Sequence, residues 1–219
     1  MGRPVGVSGA DTMRAIRKAA IQRIYRHGFE AMNLRDLAAD VNLRIGSLYN
    51  HVPQKQEFLG TLIEGIMLEL LLDMKTQMAG LSDPAERLDR FVRFHIEWHI
   101  ARKEETFIGN PELRSLSPPQ YQRVVALRKE YEAHLRAILA DGQKAGLWKL
   151  NDLHVDTLAM LSLLIGVHNW YRADGRLGQA RVVRIYQRLA RQMLGLAPQA
   201  KPRATKVASA TVKRGARKA

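Results

Sequence analysis

Apolar residues recur at helical spacing along most of this chain, and no stretch alternates for long enough to suggest a strand. Met13, Ile16, Ala20 and Ile24 form one stripe over residues 12–28, with Gly28 as its stop. Leu34, Leu37, Ala38 and Val41 fall at i, i+3, i+4 and i+7 and define a short second helix. Asn33 stands at its N-cap position, with Asp36 three residues on. Asn42 breaks that helix, because asparagine tolerates a left-handed conformation. A third short helix carries Leu48 and Val52 inward, and Pro53 can end it and open the next.

The pattern continues with a long helix over 53–78, whose stripe includes Leu59, Leu62, Ile66, Leu70 and Met74. Gly80 to Pro84 is a break, and residues 84–102 follow with Leu88, Phe91, Val92, His95, Trp98 and His99 on one side. Asn110-Pro111 and Ser117-Pro118-Pro119 bracket a helical turn. Residues 119–145 form another long helix that stops at Gly146, and 152–172 and 178–195 are the last two. The expected architecture is all-α, about nine helices in two domains. Its parts are a loose basic arm over 1–11, a three-helix head over 12–58, a helical ligand-binding and dimerisation body over 59–196, and a disordered basic tail over 197–219.

The second and third helices, with a tight turn between them and a polar outer face on the third, predict a helix-turn-helix that reads DNA. Arg44, Ser47, Tyr49 and Asn50 would face the major groove or its flanking phosphates, and His51 and Lys55 would hold the backbone at the groove edge. Arg35, in the first turn of the second helix, would meet a phosphate through its charge and the helix N-terminus. Ile45 either touches a thymine methyl or packs inward.

The run Gly46-Ser47-Leu48-Tyr49-Asn50-His51-Val52-Pro53-Gln54-Lys55 resembles the signature of TetR-type repressors, a Gly-Thr-Leu-Tyr-X-His-Phe-X-X-Lys pattern. Arg26-His27-Gly28-Phe29-Glu30-Ala31 and Arg35-Asp36-Leu37-Ala38 fit that family too, so the likeness covers residues 12–60. Asn42 in place of the usual turn glycine, Ile45 in place of a polar residue and Val52 in place of an aromatic are departures. In the body, Glu112 to Pro118, Arg128 to Tyr131, Gly142 with Gly146-Leu147-Trp148, and Asn169 to Arg172 with Asp174 to Leu177 are similar to landmarks of one branch of the family. That branch includes repressors of fatty-acid and sterol breakdown that respond to acyl-CoA thioesters.

The resemblance implies a ligand-responsive regulator, a repressor released from a palindromic operator by a small hydrophobic effector such as an acyl-CoA. It also implies a homodimer in which helices 152–172 and 178–195 pair with their copies as a four-helix bundle. The sequence between Leu158 and Val167 is apolar on nearly every face, which fits either such an interface or a central core helix.

Charge sharpens this picture. The net charge is +14, of which residues 1–55 carry +5 and residues 56–200 only +2. The tail from Lys201 carries +7 without a single acid, a composition expected to stay disordered and to add sequence-independent DNA affinity. There is no cysteine, so no disulfide or thiolate metal site is expected. No signal peptide or membrane span is recognisable, and a cytoplasmic location is expected. Enzymatic activity is not expected, for the chain has no Gly-rich phosphate loop and no nucleophile elbow. The rival reading is an architectural DNA-binding protein without a ligand.

Phe91, His95, Trp98, His99 and Arg102 share a helical face that is either an ordinary packed stripe or the wall of a pocket. His95 and His99, at i and i+4, could also share a metal ion, but the helix lacks a Glu directly after the first His, and no metal or cofactor is expected. Trp170 and Arg172 either meet a ligand near the dimer seam or belong to the end of a core helix that the Trp anchors. Arg123, Arg128 and Arg136, on one helix with Glu130 and Glu132, are expected on a solvated, salt-linked face.

Overall fold

A computed structural model describes residues 8–109 and 111–196; the expected tail and most of the arm lie outside these described residues. Ten α-helices and one 3-10 helix make up the described residues, which contain no strand. The expected arm ends early, since residues 9–11 already belong to α1 (Gly9–His27). The cause is Ser8, whose hydroxyl accepts a hydrogen bond from the Asp11 backbone N–H at 3.1 Å and so starts the helix. Gly28, at φ 80°, ends it.

The helix α2 (Leu34–Asp40) opens on Asn33, which accepts from the Asp36 N–H at 2.8 Å. Asn42 takes φ 54°, the left-handed turn its side chain allows. Next come α3 (Ile45–Tyr49) and α4 (Lys55–Met78). Val52 is buried, as expected, although it lies beyond the end of α3, and Pro53 belongs to neither helix.

The body contains α5 (Pro84–Ala101), α6 (Lys103–Gly109), a 3-10 turn (Pro111–Ser115), α7 (Pro118–Lys144), α8 (Leu153–Ile165), α9 (Val167–Trp170) and α10 (Gln179–Met193). Two features depart from the sequence pattern. The helix α6 emerges as a separate element after Arg102 leaves helical geometry at ψ 44°. The expected helix over 152–172 is interrupted at Gly166, where the His168 side chain bonds the Ile165 carbonyl and competes with the helix ladder.

One hydrophobic core runs from head to body. The helix α4 joins them, burying Phe58, Leu59 and Leu62 near its start and Ile66, Leu70 and Met74 farther on. Close packing of α7 explains two glycines. A Cβ on Gly60 would lie 2.3 Å from Gln120 on α7, and one on Gly142 would lie 1.8 Å from the Trp148 indole. The Trp148 indole N–H donates to the Leu139 carbonyl at 2.8 Å, pinning the loop after α7 back onto that helix.

Candidate nucleic-acid interface and internal cavity

In the head, Leu48 is fully buried where α3 packs against α2, which turns the rest of α3 outward. Ile45, Gly46, Ser47, Tyr49 and Asn50 are exposed, and so are Arg35 and Arg44 at the starts of α2 and α3. Ile45 therefore does not pack inward. Neither Arg35 nor Arg44 has an ion-pair partner among the described residues. A Cβ built on Gly46 meets nothing within 4 Å, so the glycine leaves open space on this face rather than relieving an internal clash.

Arg23 binds Asp36 and Asp40, and its hydrogen bond holds the Asp40 carboxyl below the usual range. The two acids of α2 are thereby neutralised from inside, which favours approach of phosphate to the outer face.

Lys55 is placed differently from its expected role at the groove edge. Its ammonium donates to the Glu30 carbonyl at 3.0 Å and lies 4.5 Å above the Phe29 ring. His51 is half-buried, with its backbone N–H on the Leu48 carbonyl at 2.9 Å. Lys55 thus ties the start of α4 to the loop after α1.

In the body a partly open cavity of about 300 Å³ lies between α4, α5, α6, α7 and α8. That is the small end of the range for small-molecule sites, roughly 300–1,000 Å³. Its apolar wall includes Ile63, Ile66, Leu70, Trp98, Leu158 and Ile165, and its polar groups come from His95, His99, Glu105, Thr106, Arg128, Tyr131, Glu132 and Ser162.

His95 Nδ1 lies 2.9 Å from the Tyr131 hydroxyl, and the His99 Nδ1–H donates to the His95 carbonyl at 2.7 Å. The two imidazoles stack with centroids 3.9 Å apart. Burial drives His95 well below its ordinary value, with the neighbouring His99 adding to the shift. Burial lowers His99 to about 4. Tyr131 is pushed upward by burial, so its hydroxyl keeps its proton. Both histidines are neutral near pH 7.

Of the sequence-predicted ligand residues, His95, Trp98 and His99 line the cavity, and four others do not. Phe91 is fully buried behind it, its ring 5.3 Å from that of Tyr131. Arg102 turns toward the head, bound to Glu69 and Glu105. Trp170 stacks on Tyr186 and is half-exposed, and Arg172 pairs with Asp174 in solvent.

Arg128 corrects the solvated-face expectation. It reaches inward to the Gly109 carbonyl at 2.7 Å, and burial lowers its pKa. Tyr131 was legible as the i+7 partner of Val124 on the buried stripe of α7, whereas Thr106 sits on a helix that the apolar pattern did not separate. Among the described residues no group of three or more His, Cys, Asp or Glu is placed to hold a metal ion. No helix among them is long and apolar enough to cross a membrane.

The cavity and the head are physically joined. Phe107, next to Thr106 on α6, packs edge-on against Tyr25 of α1 with centroids 5.0 Å apart. The Glu112 carboxylate accepts from the Phe29 N–H at 3.1 Å, and Glu69 of α4 bridges Arg17 of α1 to Arg102. Elsewhere, α8 leaves Val155 and Leu158 exposed, and α10 leaves Leu189 and Met193 exposed.

Comparison with known proteins agrees with this arrangement. Residues 81–194 match the family described as Tetracyclin repressor-like, C-terminal domain. The HTH-type transcriptional repressor KstR2 of Mycobacterium tuberculosis is 25% identical over 163 residues, covering 73% of this chain and 80% of that one. The crystal structure of the TetR family transcriptional regulator PfmR from Thermus thermophilus superposes with a TM-score of 0.70 at 29% identity, covering 83% of this chain and 97% of that one. AibR, solved in complex with isovaleryl coenzyme A and operator DNA, shares the fold with a TM-score of 0.72 at 21% identity, covering 85% of this chain and 100% of that one. The chain belongs to the TetR family of transcriptional regulators.

Proposed function

We propose that this protein is a homodimeric, ligand-responsive repressor, released from a palindromic operator when a small hydrophobic effector fills the body cavity. The observation that carries this reading is a largely apolar cavity whose walls, α4 and α6, also contact the head that bears α3. An architectural DNA-binding protein has no need of such a cavity.

Arg35, Arg44, Ser47, Tyr49 and Asn50, with Ile45 and Gly46 allowing close approach, form the DNA-facing set, and His51 lies at its margin. The open apolar sides of α8 and α10 pair with those of a second copy, which sets two copies of α3 about one DNA turn apart. An effector releases DNA only by binding better to the conformation whose head spacing is wrong. The helix α4 is one lever, and α6, in contact with α1 through Phe107 and Tyr25, is a second.

An acyl group carried as its CoA thioester is the first effector candidate. The sequence likeness of the body to acyl-CoA-responsive repressors supports it, as does the apolar wall of the cavity. Selection from a randomised duplex pool tests the DNA half of the reading. Enrichment of one palindrome with half-sites about one turn apart is expected; recovery of unrelated sequences whose retention depends on salt alone would contradict it.

A further inference from the structure

Two residues that line the cavity each carry a buried polar atom without a hydrogen-bond partner among the described residues, His95 Nε2 and Thr106 Oγ1. Buried polar groups in folded proteins are nearly always paired, so each such atom calls for an explanation. His95 is only 2% exposed and Thr106 only 8%.

Thr106 differs from the other described helical threonines. Thr12, Thr61, Thr76 and Thr157 each return their hydroxyl proton to the carbonyl four residues back. The Thr106 hydroxyl does not, although its backbone N–H bonds the Arg102 carbonyl in the ordinary way at 2.9 Å. The hydroxyl is thus left without a partner on a residue that lines the cavity.

The protonation of His95 follows from its neighbour. The Tyr131 hydroxyl is buried and has no acceptor other than His95 Nδ1 among the described residues. A buried hydroxyl that did not donate would leave its proton unmatched, so Tyr131 donates and Nδ1 accepts. A neutral imidazole that accepts at Nδ1 carries its proton on Nε2. Nε2 is therefore an N–H donor, and it is the atom that lacks a partner. Tyr131 acts here as a positioning residue that fixes the tautomer.

We propose that His95 Nε2–H and the Thr106 hydroxyl form a two-point donor site for an uncharged carbonyl oxygen of the effector, whose apolar remainder lies against Ile66, Leu70 and Leu158. The site takes ketones, esters, thioesters or amides of this shape and discriminates against hydrocarbons of equal volume. A ligand oxygen that accepts from both donors leaves neither unmatched. The assignment rests on the effector reading above and specifies the chemistry of that cavity. It also places the ligand contact on α6, one residue from Phe107 and its packing against α1.

Acetophenone and α-methylstyrene, which differ by C=O against C=CH₂, are suitable probes for the full-length protein in isothermal titration. The ketone is expected to bind about tenfold tighter, the ratio that one buried hydrogen bond supplies. Thr106→Val, which keeps the side-chain shape, should fold normally and reduce that ratio several-fold.

Tyr131→Phe removes the group that fixes the tautomer. In ¹⁵N-labelled protein the long-range imidazole spectrum should show His95 protonated at Nε2, and the Nδ1-protonated form should gain population in Tyr131→Phe. Equal affinity for the two probes, failure of the ketone to bind, or an Nδ1-protonated His95 in the wild type each overturns the donor assignment. The effector reading is tested apart from this, by release of a selected operator, so failure of one is distinguishable from failure of the other.

Discussion

Acid should unfold this protein earlier than its carboxylates alone would require, because its body folds around two neutral imidazoles. His99 is held at about 4 in the folded chain, against an ordinary value of 6.5. Below 6.5 the unfolded state takes up the proton first, so stability falls as pH drops from 6.5 toward 4. With one pKa unit worth about 1.4 kcal/mol, His99 alone removes about 1 kcal/mol between pH 7 and 5.5 and about 2 kcal/mol by pH 4.5.

Burial lowers His95 too, so it acts in the same direction. The loss from His99 alone is a sizeable share of the 5–15 kcal/mol typical of a domain. The charged and titratable neighbours of the pair are His168, Tyr131, Glu105, Arg128 and Glu132. The carboxylates held low, such as Asp40 and Glu69, begin to lose their contribution only at the acid end of this window and below, while His134 adds to the effect within it.

Urea unfolding followed by far-ultraviolet circular dichroism at pH 7.0, 5.5 and 4.5 measures the slope, and His99→Leu supplies the control of similar volume. The variant should lose about 2 kcal/mol less than the wild type over that range. Parallel losses in the two proteins would show that His99 is not held neutral by burial, and the reasoning would fail.

Glu112→Ala removes a carboxylate acceptor from the Phe29 N–H at the head–body junction and should destabilise the protein by about 1.5–3 kcal/mol, while Glu112→Gln, which keeps an acceptor, should recover most of it in urea melts. Lys55→Ala should cost about 1 kcal/mol through loss of the Glu30 carbonyl and the Phe29 ring face, and leave the salt dependence of DNA binding unchanged. A salt slope flattened by about one unit would return Lys55 to a phosphate contact. Val155→Arg on the open side of α8, away from the cavity wall, should give monomers in sedimentation and abolish tight operator binding; an unchanged dimer would place the interface elsewhere.

The head was legible in the sequence because its punctuation is local. Asn33 caps, Asn42 turns left-handed and Gly28 stops a helix through their own backbone and side chains, with no distant partner needed. The cavity was legible only where one helix face carried it, so His95, Trp98 and His99 were found together on α5. Arg102 has the right spacing on that face but falls where the helix ends, and there Glu69 and Glu105 draw it toward the head.

Arg128 reads as one of several solvated arginines until the Gly109 carbonyl of another element draws it inward. Thr106 carries no periodic signal at all; its place in the cavity follows from how α6 packs. Pairings between elements distant in sequence decide such sites, and a hydrophobic period does not contain them.

The central claim joins the cavity to DNA release, and one titration tests it most directly. A labelled duplex carrying the selected palindrome would be bound to the full chain and followed by fluorescence anisotropy while acyl-CoA thioesters, isovaleryl coenzyme A first, and the matching ketones are added. At least one acyl or ketone ligand should release the duplex at concentrations that also raise the melting temperature, and Thr106→Val should require more of it. A duplex that stays bound while the ligand occupies the cavity would separate binding from regulation and contradict the account.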